Sequence, residues 1–147
     1  MNATRSLVLT GLAVFALTTA ALHVLQPALS PLDEAVSYYV HGRFGWLLTI
    51  GLIALGTVSL ALTVALVRTT GGPGARPGRW FLGIWSVGAV LGGVFPTDPA
   101  GNWNAPPSVA GMIHGGAAML ALLAFPIGAL FLSRSFRGFP SAHGRVV

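Results

Sequence analysis

Histidines and carboxylates are the side chains of this sequence best suited to chemistry, because cysteine is absent and only 7% of the residues are charged. Neutral imidazoles and carboxylates are together good ligands for zinc and other divalent ions. Asp98 draws notice because it follows a glycine-rich apolar segment in GGVFPTDPAGNW. The candidate polar cluster consists of Asp98, His114, His23, His41, Asp33 and Glu34. Within it, His23, His114 and Asp98 are the candidate metal ligands, although their spacing matches no standard motif.

Two further kinds of site would use the same residues. A haem is a second cofactor candidate, since His23 and His114 lie on different predicted helices at similar depth, where axial ligands belong. Asp33, Ser37 and His41 have the residue types of a hydrolytic triad, but on one helix the outer two would be ~12 Å apart. Proton or ion transfer would need acids inside the membrane, and the apolar segments contain none.

A structural interpretation competes with these hypotheses and is the default. Asp98 stands at the first position of DPAG, a sequence that favours a type I turn. His114 would be buried near that turn and needs a hydrogen-bond partner, either Asp98 or a backbone carbonyl. Small-xxx-small pairs would let the two helices approach closely: Gly111 and Gly115 beside His114, and Gly88 and Gly92 in the preceding segment. The cluster would then pin a rigid hairpin to the helices.

The elements that must position these residues are four apolar segments without a charged side chain, over 6–25, 46–67, 80–95 and 109–132. A membrane span needs ~20 apolar residues, and only the third segment is short of that length. Hydrophobic residues make up 54% of the 147 residues. We therefore predict an all-α polytopic membrane protein, a four-transmembrane-helix bundle forming a single membrane domain over 1–147.

Charge orients this bundle, because arginine is retained on the cytoplasmic side of short loops. All three acids fall in the other connections, together with Arg43. We predict a multi-pass protein of a bacterial-type plasma membrane, with both termini cytoplasmic and the candidate cluster outside. The predicted cytoplasmic arginines are Arg5, Arg68, Arg76, Arg79, Arg134, Arg137 and Arg145. They are scattered without an aromatic-interleaved stripe, so no nucleic-acid partner is predicted.

The connecting segments carry their own signals. The capping pattern of Ser30 and Asp33, with proline between them, predicts a short amphipathic helix over 31–40 lying on the outer membrane face. The segment 69–79 predicts a flexible cytoplasmic loop, and it lacks the Gly-Lys-Ser/Thr ending of a phosphate-binding loop. Trp103 would rest at headgroup level and Ser108 would cap the fourth span.

The two ends of the chain allow further hypotheses. The cytoplasmic tail 133–147 combines arginines with Phe136 and Phe139, which suits contact with anionic lipid. At the other end, Arg5, the apolar core and small residues over 18–21 loosely imitate a cleavable secretory signal. That apolar core is long for a signal, and its removal would leave the other three spans oriented as before.

Three sequence strings resemble a known family. They are GRFGWLLTIGLIALG (42–56), GVFPTDPAG (93–101) and MIHGGAAMLALLAFP, which opens the fourth span. Over 23–134 the chain resembles the prokaryotic integral-membrane family filed as domain of unknown function 998. The resemblance implies a polytopic membrane protein and singles out Asp98 and His114 as the matching polar positions. It implies no reaction.

Members of that family generally have about six spans, whereas four are predicted here. The resemblance therefore leaves two expectations: a short form that completes its bundle by oligomerising, or a reading frame that ends early. The predicted partners are the lipid bilayer and either a second copy or a membrane partner protein. We predict a binding or structural component with a polar cluster at its outer face. The alternatives are a metal-dependent membrane hydrolase and a haem-binding electron carrier.

Overall fold

The computed structural model describes residues 2–101 and 104–137, and all regular secondary structure in this part of the chain is helical. It contains α1 (Asn2–Leu25), a 3₁₀ helix (Val36–His41), α2 (Trp46–Thr69), α3 (Ala75–Val94) and α4 (Val109–Arg137). Three of these helices are long and apolar enough to cross a membrane, over Ala3–Leu25, Trp46–Thr69 and Val109–Phe136. The all-α fold class and the apolar membrane helices predicted from the sequence are thus present.

Helix α3 is longer and more polar than the apolar segment from which it was predicted. It begins at Ala75 rather than Trp80 and has 20 residues, enough for about 30 Å of helix. Gly74 precedes it with φ +88°, a left-handed conformation that favours glycine. Its first turns contain Arg76 and Arg79, so part of the predicted loop 69–79 is helix. These arginines also make α3 less apolar than the other three α-helices.

The α-helices pack in chain order. The extensive contacts between described elements join α1 to α2, α2 to α3, α3 to α4, and α2 to the 3₁₀ helix. Helices α1 and α4 therefore lie at the two edges of an open array. Gly56 on α2 allows close approach to α3, since a Cβ there would meet the Ser86 carbonyl oxygen at 2.8 Å. The small side chain of Ser86 is itself completely buried at this contact.

The α3–α4 interface uses small residues, but not the pairing that the sequence predicted. A Cβ at Gly88 would meet the Ala117 carbonyl oxygen at 2.8 Å and the Ala121 Cβ at 2.7 Å. Gly115 is exposed and has no atom within 4 Å of a Cβ position, so the predicted Gly111–Gly115 face was wrong. The stripe through Ala117 faces α3 because it lies about half a turn from Gly115 on α4.

The first connection contains a different helix from the one predicted over 31–40. Residues 31–34 form turns and a bend, and the 3₁₀ helix begins only at Val36, so the predicted start at Pro31 was wrong. Its Tyr39 is fully buried with Leu22 of α1 and Leu48 of α2. The segment is therefore fixed to the helices by an apolar core rather than resting on one apolar face.

The second connection is held in place, which corrects the prediction of a flexible loop. Arg79 Nη1 donates a 2.7 Å hydrogen bond to the Thr70 carbonyl oxygen, and Ser135 Oγ donates one of 2.6 Å to Gly71. A Cβ at Gly74 would collide with the Phe131 carbonyl oxygen of α4. The predictions made for Trp103 and for the tail beyond Arg137 lie outside the described residues.

Candidate functional site at the histidine end

The helix ends form two groups, which we name by their residues. The histidine end comprises the described residues of two connections, 26–45 and then 95–101 with 104–108, and the adjoining turns of the four α-helices. The arginine end comprises the start of α1, the last turns of α2, the connection 70–74, the first turns of α3 and the last turns of α4. A hydrogen bond of 2.7 Å between His41 Nε2 and the Thr97 carbonyl oxygen joins the two connections of the histidine end. All six residues of the candidate cluster lie at this end.

Tyr39 is the centre of the polar contacts in the first connection. Its hydroxyl donates to the Leu29 carbonyl oxygen at 2.9 Å and lies 2.8 Å from His23 Nδ1. Because the single hydroxyl proton serves Leu29, His23 Nδ1 must donate to the tyrosine oxygen. Gln26 is also buried, and its Nε2 donates to the Tyr39 carbonyl oxygen at 3.2 Å. A Cβ at Gly42 would collide with this glutamine side chain.

His114 hydrogen-bonds the end of α3. This histidine is 7% exposed, and its Nδ1 lies 2.8 Å from the Phe95 carbonyl oxygen and 3.1 Å from that of Gly92. Carbonyl oxygens only accept, so Nδ1 carries the proton and donates to both. In a continuing helix Gly92 would accept from residue 96, but Pro96 has no N–H. The imidazole supplies the donor that this proline lacks, and so caps α3.

Asp98 forms its hydrogen bond with the start of α4, and not with His114. Its Oδ2 accepts a 3.0 Å hydrogen bond from the Ser108 backbone N–H, and its carboxylate packs against the Cα of Gly111. Ser108 Oγ in turn accepts from the Gly111 N–H at 2.9 Å, which is the N-cap contact expected from the sequence. The carboxylate therefore stands at the positive end of the α4 dipole, where a negative charge is favoured.

The two acids of the first connection lie apart from these contacts. Asp33 Oδ2 accepts a 2.7 Å hydrogen bond from Ser30 Oγ, and the Leu32 backbone N–H donates to the same hydroxyl. This is the side-chain pattern predicted for a cap, but it closes a turn instead of starting a helix. Glu34 is half-buried, with Oε2 shielded from solvent and without a hydrogen-bond partner among the described atoms.

The structure gathers the candidate residues at one end without making them a ligand set. His23 bonds Tyr39, His41 bonds Thr97 and His114 bonds α3, each through a nitrogen that donates. Within residues 2–101 and 104–137, no group of three or more His, Asp or Glu side chains could hold a metal ion. The arrangement is suited to joining backbone segments, and it does not bring His23, His114 and Asp98 together around one point.

Sequence reasoning missed Tyr39 and Gln26, the two residues that organise the first connection. Tyr39 was placed on the apolar face of a surface helix, and Gln26 was not considered. A usable signal was present: Gln26 is an uncharged polar residue directly after the first apolar segment, and Pro27 follows it. A helix that ends before proline leaves carbonyls near its end without a partner, so a polar side chain is useful there.

Comparisons with known proteins give a family. A family model described as "Protein of unknown function (DUF998)" matches residues 9–147. The match includes α2, α3, α4 and α1 from residue 9 onward, and with them every candidate site residue. No curated protein and no solved structure matches the chain.

Proposed function

Since the chain belongs to this family of unknown function, we propose its role from the histidine end itself: it is a structural component of the membrane whose outer connections are locked by internal hydrogen bonds. The observation that carries this proposal is the set of hydrogen bonds made by the imidazole rings. Each of His23, His41 and His114 donates a ring N–H to an acceptor of the same chain. A metal site would also let each imidazole donate one N–H, but the other ring nitrogens would have to meet around one ion. No group of three or more His, Asp or Glu side chains among the described residues could hold such an ion.

The burial of the cap supports the same role. Tyr39 is completely buried, and His114 and Gln26 are each less than a tenth exposed. Polar groups removed from water are stabilising only when hydrogen-bonded, so such a network favours one arrangement of the connections over others. A rigid outer surface is what a structural component needs. The metal-dependent hydrolase and the haem-binding electron carrier stay sequence-based predictions, and no contact described above favours either.

The membrane arrangement belongs to the same proposal. In it, α3 crosses the bilayer together with the three more apolar helices, and both termini are cytoplasmic in a bacterial-type plasma membrane. The separation of the charged residues supports this orientation: Arg5, Arg68, Arg76, Arg79 and Arg134 lie at the arginine end, and the acids lie at the other. The exposed apolar side chains of α1 and α4 would then face lipid, a second copy or a partner protein.

The absence of cysteine makes this topology directly testable. A single cysteine at Ala100, in the third connection, should react with a membrane-impermeant maleimide in intact cells. A single cysteine at Gly71, in the second connection, should react only after the cells are opened. If both positions label in intact cells, then α3 does not cross the membrane and the proposed arrangement fails.

The role of His114 separates the structural proposal from a metal site. Asparagine can place an N–H near the position of Nδ1, whereas leucine cannot donate. We expect His114→Leu to lower the free energy of unfolding in detergent by about 1–3 kcal/mol, the usual cost of stranding a buried acceptor. His114→Asn should retain most of that stability, and elemental analysis should find no stoichiometric metal in either variant or in the native chain.

The opposite result has a clear meaning. A metal bound stoichiometrically to the native chain and lost in a His23→Ala, His114→Ala double variant would replace the structural proposal with a cofactor site. Equal destabilisation by asparagine and leucine at position 114 would show that the Nδ1 donor is not what the position supplies.

A further inference from the structure

A groove that begins at the arginine end and follows most of α3 is not used by the proposed function. It is open on one side, has a volume of about 700 Å³ and lies between α2, α3 and α4. One stripe of α3 forms its length, from Arg76 through Trp80, Gly83 and Val87 to Leu91. Leu60, Thr63 and Val67 of α2 form one wall, and Ala117 and Leu120 of α4 contribute the other. We call it the α3 groove.

Small residues leave this groove empty of side chains. A Cβ at Gly83 would have only Thr63 Cγ2 near it, at 4.0 Å, so the middle of the groove is open. Gly88 and Ala117 bring α3 and α4 together beyond that point and narrow the far end. Apart from Thr63 and the two arginines, the lining side chains are apolar. The cavity is therefore shaped for a slender apolar group.

The two arginines give the groove one charged end. Arg79 is held by its bond to the Thr70 carbonyl oxygen, and its guanidinium has further N–H groups that this single bond does not use. Arg76 is exposed beside it, one turn earlier on α3. All three acids of the sequence lie at the histidine end, so no Asp or Glu side chain neutralises the pair. The chemistry complementary to two paired guanidiniums is a phosphate group.

The length of the groove can be compared with the thickness of one membrane leaflet. From Arg76 to Leu91 the stripe extends about 22 Å along the helix. One leaflet contributes about half of the ~30 Å hydrocarbon core, so an acyl chain fits within the groove. Trp80 is 67% exposed at the charged end, where an amphipathic ring suits the headgroup level. Charge and length thus favour an amphiphile over a free anion.

We propose that the α3 groove binds one anionic phospholipid, with the headgroup phosphate on Arg76 and Arg79 and an acyl chain lying over Gly83. The lipid comes from the leaflet at the arginine end. This inference depends on the proposed crossing of α3, which the cysteine-labelling experiment tests separately. A labelling result that keeps α3 across the membrane, with no lipid retained in the groove, would overturn the inference alone.

Lipid counting by native mass spectrometry tests the site. The full chain is reconstituted in vesicles of equal parts phosphatidylglycerol and phosphatidylcholine, extracted in mild detergent, and the retained lipids are counted. The native chain should retain one phosphatidylglycerol in preference to phosphatidylcholine. Arg76→Gln with Arg79→Gln should weaken that retention about tenfold or more, from the loss of two arginines near the anionic lipid. The control removes two other arginines of the same end, Arg5→Gln with Arg134→Gln, neither of which lines the groove.

A second variant blocks the groove and keeps its charge. Gly83→Leu fills the open middle, and Gly115→Leu adds the same side chain at an exposed position of α4 outside the groove. We expect Gly83→Leu to abolish the retained phosphatidylglycerol and Gly115→Leu to leave it unchanged. This pair decides the question even if the double arginine variant does not fold.

Three results would overturn the proposal. Equal losses in the two arginine pairs would show general attraction to an anionic surface. Undiminished retention in Gly83→Leu would place the lipid elsewhere. Protection of the chain against heating by inorganic phosphate, unaffected by Gly83→Leu, would identify a free-anion site in place of a lipid site.

Discussion

The two ends of the molecule hold their connections by different chemistry. At the histidine end, neutral donors on His23, His41, His114 and Gln26 reach acceptors on other segments. One of these acceptors, the Gly92 carbonyl oxygen, lacks a helical donor because residue 96 is proline. At the arginine end the short connection 70–74 lies directly against α4, where Gly74 meets the Phe131 carbonyl. The arginine end also has side-chain donors, from Arg79 and Ser135, but at Gly74 it depends in addition on the absence of a side chain.

The difference follows from the length of the connections. The histidine end must fold long segments, 26–45 and 95–108, whose backbone groups cannot all be paired within a helix. The arginine end has only five residues between α2 and α3, so a tight turn with left-handed glycines closes it. Long connections therefore need side-chain donors to join them, whereas the short connection adds the conformational freedom of glycine to its two side-chain donors.

The largest expected effect is at the histidine end. Tyr39→Ala should lower the free energy of unfolding by about 3–5 kcal/mol, because it leaves a cavity beside Leu22 and strands His23. Chemical denaturation of the detergent-solubilised protein measures the change. Tyr38→Ala is the matched control, since that neighbouring tyrosine is only half-buried and should cost much less. Similar losses in the two variants would contradict the central position given to Tyr39.

An intermediate effect is expected at the arginine end. Gly74→Ala places a side chain at φ +88° and against Phe131, so we expect a loss of about 2–3 kcal/mol in the same denaturation assay. Gly72→Ala has a similar φ of +83° and open space around the Cβ position, so it carries the backbone strain alone. It should cost about 1 kcal/mol. If Gly72→Ala were as harmful as Gly74→Ala, then close contact with α4 would not be what the arginine end depends on.

The smallest expected effect concerns charge at the histidine end. Asp98→Asn keeps an acceptor for the Ser108 N–H but removes the negative charge beside the start of α4. We expect a loss of about 0.3–1 kcal/mol at low salt, and less as salt screens the helix dipole. Asp33→Asn, at an exposed turn bonded to Ser30, should change the stability hardly at all. A large loss in Asp98→Asn that persists in high salt would mean that its charge serves something besides the helix end.

Most of the fold could be predicted from the sequence, because long apolar segments without charge have few alternatives to a membrane helix. The predicted bounds 46–67 and 109–132 fall inside α2 and α4. The start of α3 could not be read in the same way. Arg76, Pro77 and Arg79 resemble a loop, yet proline is tolerated in a first helical turn and long arginines keep their charge in water.

The candidate site was predicted less completely, for a reason of geometry. The end of the molecule at which each histidine lies could be predicted from the sequence, but the direction of its side chain could not. That direction decides whether the ring nitrogens converge on one point or separate. His114 was expected to bond Asp98 or a backbone carbonyl, and only the packing of α3 against α4 selects the carbonyls of Gly92 and Phe95. The burial of Tyr39 could not be predicted for a different reason. It lies in a 3₁₀ helix, whose side chains do not follow the α-helical period from which the apolar face was predicted.

The chain-order packing of the helices has a consequence for biosynthesis. Each α-helix makes its extensive described contacts with the helix before or after it in the sequence. During translation, an emerging helix can therefore dock on the preceding one without waiting for a distant segment. Such local assembly has a low entropic cost and exposes few long-lived intermediates. The His41–Thr97 contact between the two connections would then form once α3 has docked on α2, and the docking of α4 on α3 would complete the assembly.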